Sequence, residues 1–164
     1  MVRMDVPPAV GDRPTFPPDL HDIRGQLDRL FTSTPTYQTL GIKLRDWGPG
    51  WAQTTMIVPD SLVNLAGTVH GGMTFTLADA AFEIACNSYG RLAVALETTC
   101  HYHRPAPVGI PLVADAWELS KGRRTASYRL RVTAQDDQIV ASYLALAYRT
   151  STWHVDADRI PDGW

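Results

Sequence analysis

The feature that most constrains this chain is one long helical segment set in a sequence otherwise patterned for strands. From Gly71 to Tyr89 the residues run GGMTFTLADAAFEIACNSY, rich in alanine, with Phe75, Ala78, Phe82 and Ala85 along one apolar face. Two glycines open the segment, and Gly90 stands where a helix would stop. Downstream, Thr125, Ser127, Arg129, Arg131 and Thr133 alternate with Ala126, Tyr128, Leu130, Val132 and Ala134, as a half-buried strand requires. Leu92 to His103, Pro111 to Ser120 and Ile139 to Arg149 are further strands, with turns expected at Lys121-Gly122 and Asp136-Asp137. Upstream, Gly41 to Trp47 and Trp51 to Val58 read as strands joined through Gly48-Pro49-Gly50, followed by a loop over 59–68. Leu20, Ile23, Leu27, Leu30 and Phe31 give one short amphipathic helix, ended by the stretch from Thr32 to Pro35.

Late strands joined by tight turns must pair antiparallel, and one apolar helix inserted among them needs a sheet curled around it. The expected class is therefore α+β, a curved antiparallel sheet wrapped around one long central helix. Length allows a single domain, placed at 20–150. Residues 1–19 hold five of the twelve prolines and are expected as a flexible arm; 151–164 are expected as a loose polar tail.

Composition narrows the function. A net charge of −2 and a pI near 6.2 offer no general field for nucleic acid. No apolar run reaches the ~20 residues that span a bilayer, and the N-terminal residues lack a signal-peptide core. Cys86 and Cys100 sit inside regular segments and do not suggest a disulfide framework, so the cytoplasm is the expected compartment.

The chemistry gathers between Asn64 and Asn87, in NLAGTVHGGMTFTLADAAFEIACN. This stretch resembles the phenylacetate-pathway (PaaI-like) group of hotdog-fold acyl-CoA thioesterases, which share a loop Asn, then His-Gly-Gly, then Leu-Ala-Asp. The likeness extends to His101-Tyr102-His103-Arg104-Pro105-Ala106 and to the basic turn Lys121-Gly122-Arg123-Arg124, covering about 38–150. The resemblance implies hydrolysis of an acyl-CoA to free acid and CoA, with Asp79 as general base or nucleophile and the Gly71 amide as oxyanion donor. His70 would orient the loop or the thioester, and Asn64 would position the loop or the attacking water. A tetramer is a further implication of the family.

Physical chemistry agrees with those assignments. A helix N-terminus carries unpaired amides and a positive dipole end, and Gly71 and Gly72 present theirs without side chains. A carboxylate is needed to deliver water or attack directly. Leu77, Ala78, Ala80, Ala81 and Phe82 flank Asp79 with apolar surface, which favours a perturbed pKa. Gly71 and Asp79 are eight residues apart, roughly 12 Å along one helix, so one thioester carbonyl cannot touch both in the same subunit. A complete site therefore requires a homodimer, with Asp79 of a second chain facing the first chain's His70-Gly71 loop.

Other features are secondary. Glu83 lies one helical turn beyond Asp79, where the family usually has a small or apolar residue; it is expected at the dimer seam, paired with an arginine. The phosphates of CoA call for cations, supplied by Lys121, Arg123, Arg124 and Arg104. Phe75, Phe82, Tyr89 and Tyr102 would suit an aryl or arylacetyl group or a medium aliphatic chain. His101 and His103 share a strand face, but no third metal ligand stands at a recognisable spacing, and no cofactor is expected. A Ser or Thr that some relatives use to hold water corresponds to Ala95, leaving that role absent or filled by Thr98 or Asn64. The alternative is a non-catalytic acyl-CoA sensor, for which 20–31 provide one helix rather than a helix-turn-helix. A hydratase on the same fold would need a different acid/base spacing.

Overall fold

The computed structural model describes residues 6–164. In chain order the elements are α1 (His21–Thr32), α2 (Pro35–Leu40), β1 (Lys43–Gly48), β2 (Trp51–Ile57), α3 (Gly71–Asn87), β3 (Arg91–Tyr102), β4 (Pro111–Lys121), β5 (Thr125–Thr133) and β6 (Ile139–Trp153). The six strands form one antiparallel sheet in the order β1-β2-β4-β5-β6-β3, and the sheet wraps α3. This is the hotdog architecture expected from the pattern. No helix among the described residues is long and apolar enough to cross a membrane.

The alternation along β5 sorts its faces as anticipated: Ala126, Tyr128, Leu130 and Val132 are buried against the helix side. Helix α3 is buried on nearly every side, with Leu77, Ala81, Ile84 and Ala85 fully enclosed. Its alanines let the sheet approach closely, while Phe82 meets Tyr128 edge-on at 5.3 Å and Phe75 meets Tyr143 at 5.8 Å. The helix ends at Asn87, short of Gly90. The Asn87 side chain leaves the helical pattern to bond both the amide and the carbonyl of Ala93, and Ser88 caps back to Ala85. Gly90 then turns the chain at φ 78°, where a side chain would strike Val155.

Three expectations need correction. The stretch from Thr32 to Pro35 ends α1 but also starts a second helix, because proline at a first helical position gives up an amide that needs no partner there. The described part of the proline-rich segment is packed rather than loose. Phe16 is buried between Trp47 and Trp164, the Pro14 carbonyl accepts from Trp51 Nε1, and Arg13 lies over the Trp51 ring and beside Asp115. The C-terminal residues are likewise held: β6 continues to Trp153, Trp164 packs on Phe16 and Tyr89, and Arg159 pairs with Asp22 of α1. Apolar residues spaced among prolines and charges anchor both segments. Phe16→Ala should therefore lower stability by about 3 kcal/mol, read as a reduced urea midpoint with unchanged slope.

Candidate active site

The loop before α3 builds the first half of the site. Asn64 Oδ1 accepts from the amides of Ala66 and Thr68, and its Nδ2 donates to Thr68 Oγ1, so the side chain closes its own loop. The backbone amide of His70 is fixed to Leu62 O at 3.1 Å. His70 is the N-cap of α3: its Nδ1 accepts from the Gly72 amide at 3.0 Å. That contact requires the proton on Nε2 when the ring is neutral.

Gly71 is thereby singled out. Its carbonyl accepts from Thr74 Oγ1 at 2.7 Å and from the Tyr102 hydroxyl at 3.1 Å. Its amide meets no acceptor among the described residues and stands at the positive end of a 17-residue helix. Tyr102, at the end of β3, covers this glycine so closely that an added Cβ would sit 3.1 Å from the ring. Asn64, Gly71, Tyr102 and Arg104 share one cavity of about 520 Å³, with Thr74 and Ala106 in its wall. Four residues singled out in the sequence thus meet in one place.

Asp79 lies elsewhere, in a separate depression of about 250 Å³ lined by Phe82, Glu83, Cys86 and Ala93 to Ala95. Its carboxyl reaches solvent at the open side while its rear rests on protein. Desolvation first, and the charge of Glu83 second, hold its pKa above the ordinary 3.8. Ala95, matched to a water-holding Ser or Thr in some relatives, is in the wall of this depression and brings no hydroxyl. Gly71 and Asp79 therefore do not share a cavity within one chain.

Among the described residues of the chain Glu83 meets no arginine of the kind expected at a dimer seam; it accepts a short hydrogen bond from the Tyr37 hydroxyl of α2. The sequence reading missed Tyr37 because it overlooked α2. Thr74, three residues after Gly71, was not singled out in the sequence either, although that spacing puts its hydroxyl within reach of the Gly71 carbonyl.

The basic turn between β4 and β5 lines neither depression. Lys121 Nζ rests 3.6 Å from the Tyr89 ring centre, and burial lowers its pKa. The carbonyls of Gly122 and Arg124 accept from Arg149, and that of Arg123 from Arg91. Arg123 and Arg124 are exposed, and their backbone lies near the start of β3, the strand end that borders Asp79. Arg104 is the one member of the cationic set that shares a cavity with Gly71. His103 binds Ser142, at 2.8 Å.

A wrapped sheet, a His-capped glycine pair at the central helix and an acidic residue two turns along that helix are the marks of a hotdog thioesterase. The chain belongs to the thioesterase superfamily, whose sequence model matches residues 66–141. It is 36% identical over 120 residues to acyl-coenzyme A thioesterase PaaI of Escherichia coli K12, covering 73% of this chain and 86% of that one. The E. coli PaaI structure superposes with a TM-score of 0.77, at 31% identity over 81% of this chain and 96% of PaaI. Human acyl-coenzyme A thioesterase 13 is 32% identical over 87 residues, or 52% of this chain and 62% of that protein. The smu.793 protein of Streptococcus mutans, solved bound to acetyl-CoA, superposes with a TM-score of 0.64 at 29% identity, over 66% of this chain and 88% of its own.

Proposed function

We propose that this protein hydrolyses an acyl-CoA thioester to the free acid and CoA, in sites each built from two copies of the chain. The observation that carries the reading is the pairing of an open Gly71 amide, its carbonyl tied off by Thr74 and Tyr102, with a carboxyl of raised pKa at Asp79. The amide would receive the charge that develops on the thioester oxygen, and Asp79 would activate water or attack the carbonyl carbon. A raised pKa strengthens a carboxylate as a base. The names of the E. coli and human relatives support CoA thioesters as substrates.

Strand β3 suggests how two chains complete the site. It is an edge strand whose start, Ala93 to Ala95, walls Asp79, and whose end, Tyr102, covers Gly71. Antiparallel addition of a second β3 to this edge would bring the start of one strand to the end of the other. Each Gly71 would then approach the Asp79 of the partner, in two equivalent sites. The exposed Val94 and Leu96 support a covered edge. Assembly of dimers into a homotetramer, in the cytoplasm, completes the proposal. Arg104 from one chain and Lys121, Arg123 and Arg124 from the other are the cations we assign to the CoA phosphates. The acyl group is an aryl, arylacetyl or medium aliphatic chain, held against Phe82 and Tyr102.

Free thiol released from a panel of acetyl-, octanoyl-, benzoyl- and phenylacetyl-CoA tests this directly. Turnover of at least one member is expected, with kcat/KM falling on acidification through a midpoint above the ordinary 3.8 of an aspartate. Tight binding of the panel without any hydrolysis would replace the enzyme by a sensor.

A further inference from the structure

Beside Asp79 stands a second carboxyl group, that of Glu83. It follows Asp79 by one helical turn, lines the same depression, and is gripped from outside α3 by Tyr37. Tyr37 is 5% exposed, and its hydroxyl also lies 3.3 Å from the Ala80 carbonyl, so the phenol has little freedom to leave. Its hydrogen bond engages Oε2 of Glu83, and Oε1 has no partner among the described residues. A glutamate on an exposed helix face would ordinarily swing away from a neighbouring carboxylate. Here it is restrained from doing so.

We infer that Glu83, clamped by Tyr37, is a positioning residue that works through Asp79, holding a fixed negative charge beside it so that Asp79 is a stronger base. The inference rests on Asp79 being the catalytic carboxylate of the proposed thioesterase.

Within its own chain few other groups set the charge of Asp79, and the proposed dimer would add His70 and Arg104 across the seam, alike in wild type and in the Glu83 variants. On α3 the remaining titratable neighbour is Cys86, whose thiol burial pushes far above its ordinary range and keeps neutral. On α2, burial and the Glu83 contact do the same to the Tyr37 hydroxyl. Beyond β6, His154 bonds Asn87 Oδ1 at 2.8 Å, and burial lowers its pKa, favouring the neutral ring. The β3 wall contributes Ala93, Val94 and Ala95, which carry no charge. Among the described residues lining this depression, Glu83 is thus the other carboxyl group beside Asp79.

The sign of the effect follows. A like charge nearby disfavours ionisation of Asp79, and the active form is the carboxylate. Removing that charge lets Asp79 stay ionised in more acidic solution. Glu83→Gln should therefore move the acid limb of kcat/KM to lower pH, raising the ratio of activity below the wild-type midpoint to that at about pH 8 roughly threefold. At about pH 8 kcat should fall less than about tenfold, as suits a residue that does not touch the reacting atoms. Tyr37→Phe, which keeps the ring and frees Glu83 to swing out, should move the limb in the same direction by less. Glu83→Asp keeps the charge and should restore the limb towards wild type. A purely structural role would lower the rate at every pH and leave the limb in place.

An unmoved limb in Glu83→Gln, with Asp79→Asn inactive, would overturn this inference and spare the reading beneath it. A fully active Asp79→Asn would overturn both. Loss of turnover in Glu83→Gln as deep as in Asp79→Asn would make Glu83 a catalytic group and also overturn the positioning role.

Discussion

Asp79→Asn should reduce kcat by on the order of a thousandfold, with little change in KM and no loss of fold. The side chains are nearly isosteric, so the depression with Phe82 and Ala93 to Ala95 keeps its shape. An amide, however, neither takes a proton from water at neutral pH nor attacks a thioester. Stability should hold or rise. A carboxyl whose folded pKa lies above its unfolded one stabilises the fold at low pH and forfeits that contribution as pH rises through the folded value. At neutral pH Asp79 is therefore a charge the fold tolerates rather than one it gains from, and asparagine removes it. Circular dichroism and thermal melts beside the thiol assay separate lost chemistry from lost structure. A variant that kept more than about a tenth of wild-type kcat would move the chemistry to another group.

Gly71→Val should lower kcat by about a hundredfold, since it disturbs an oxyanion donor rather than removing the attacking group. The new Cβ would stand 3.1 Å from Tyr102 Cζ and 3.2 Å from its hydroxyl. Tyr102 is exposed and free to turn aside, so the chain should fold. Turning aside breaks the hydroxyl's bond to the Gly71 carbonyl and shifts the first turn of α3, enough to misalign the amide. Equal mixing of Gly71→Val and Asp79→Asn chains after unfolding and refolding supplies the sharper result. Half the dimers would be mixed, and each would hold one site free of both changes, recovering about a quarter of wild-type activity. No recovery would mean that Gly71 and Asp79 serve a site within one chain.

What could be read from sequence followed the range of the interactions concerned. β5 was legible because its two-residue alternation is a local record of which face is buried, and α3 because its alanines and flanking glycines act within a few residues. Long-range partnerships were not. The Glu83–Tyr37 bond joins residues 46 positions apart, one of them in a six-residue helix whose opening proline resembled a stop. Nothing local places Lys121 on Tyr89, because that contact depends on how the β4–β5 turn meets the end of α3. Phe16 among prolines looked unanchored because Trp47 and Trp164, which enclose it, lie far along the chain. Spacing along a rigid helix was the exception. It separated Gly71 from Asp79 into different depressions of one chain because eight helical residues have a fixed length.

The interruptions along β3 have a mechanical consequence. Its pairing with β6 slips between Arg91 and Ala93 and again between Ala95 and Glu97, leaving the run to Tyr102 regular. A strand joining the outer edge would find one uninterrupted stretch against which to align, and the bulges would penalise a frame shifted along it. Such a shift of two residues displaces a neighbour by about 6.8 Å, whereas a misplacement of about 1 Å can cost a hundredfold in rate. β3 would thus act as a ruler, setting the distance between a glycine on one molecule and a carboxylate on another. Substitutions that smooth the bulges, though remote from both reacting groups, would then act as errors of calibration.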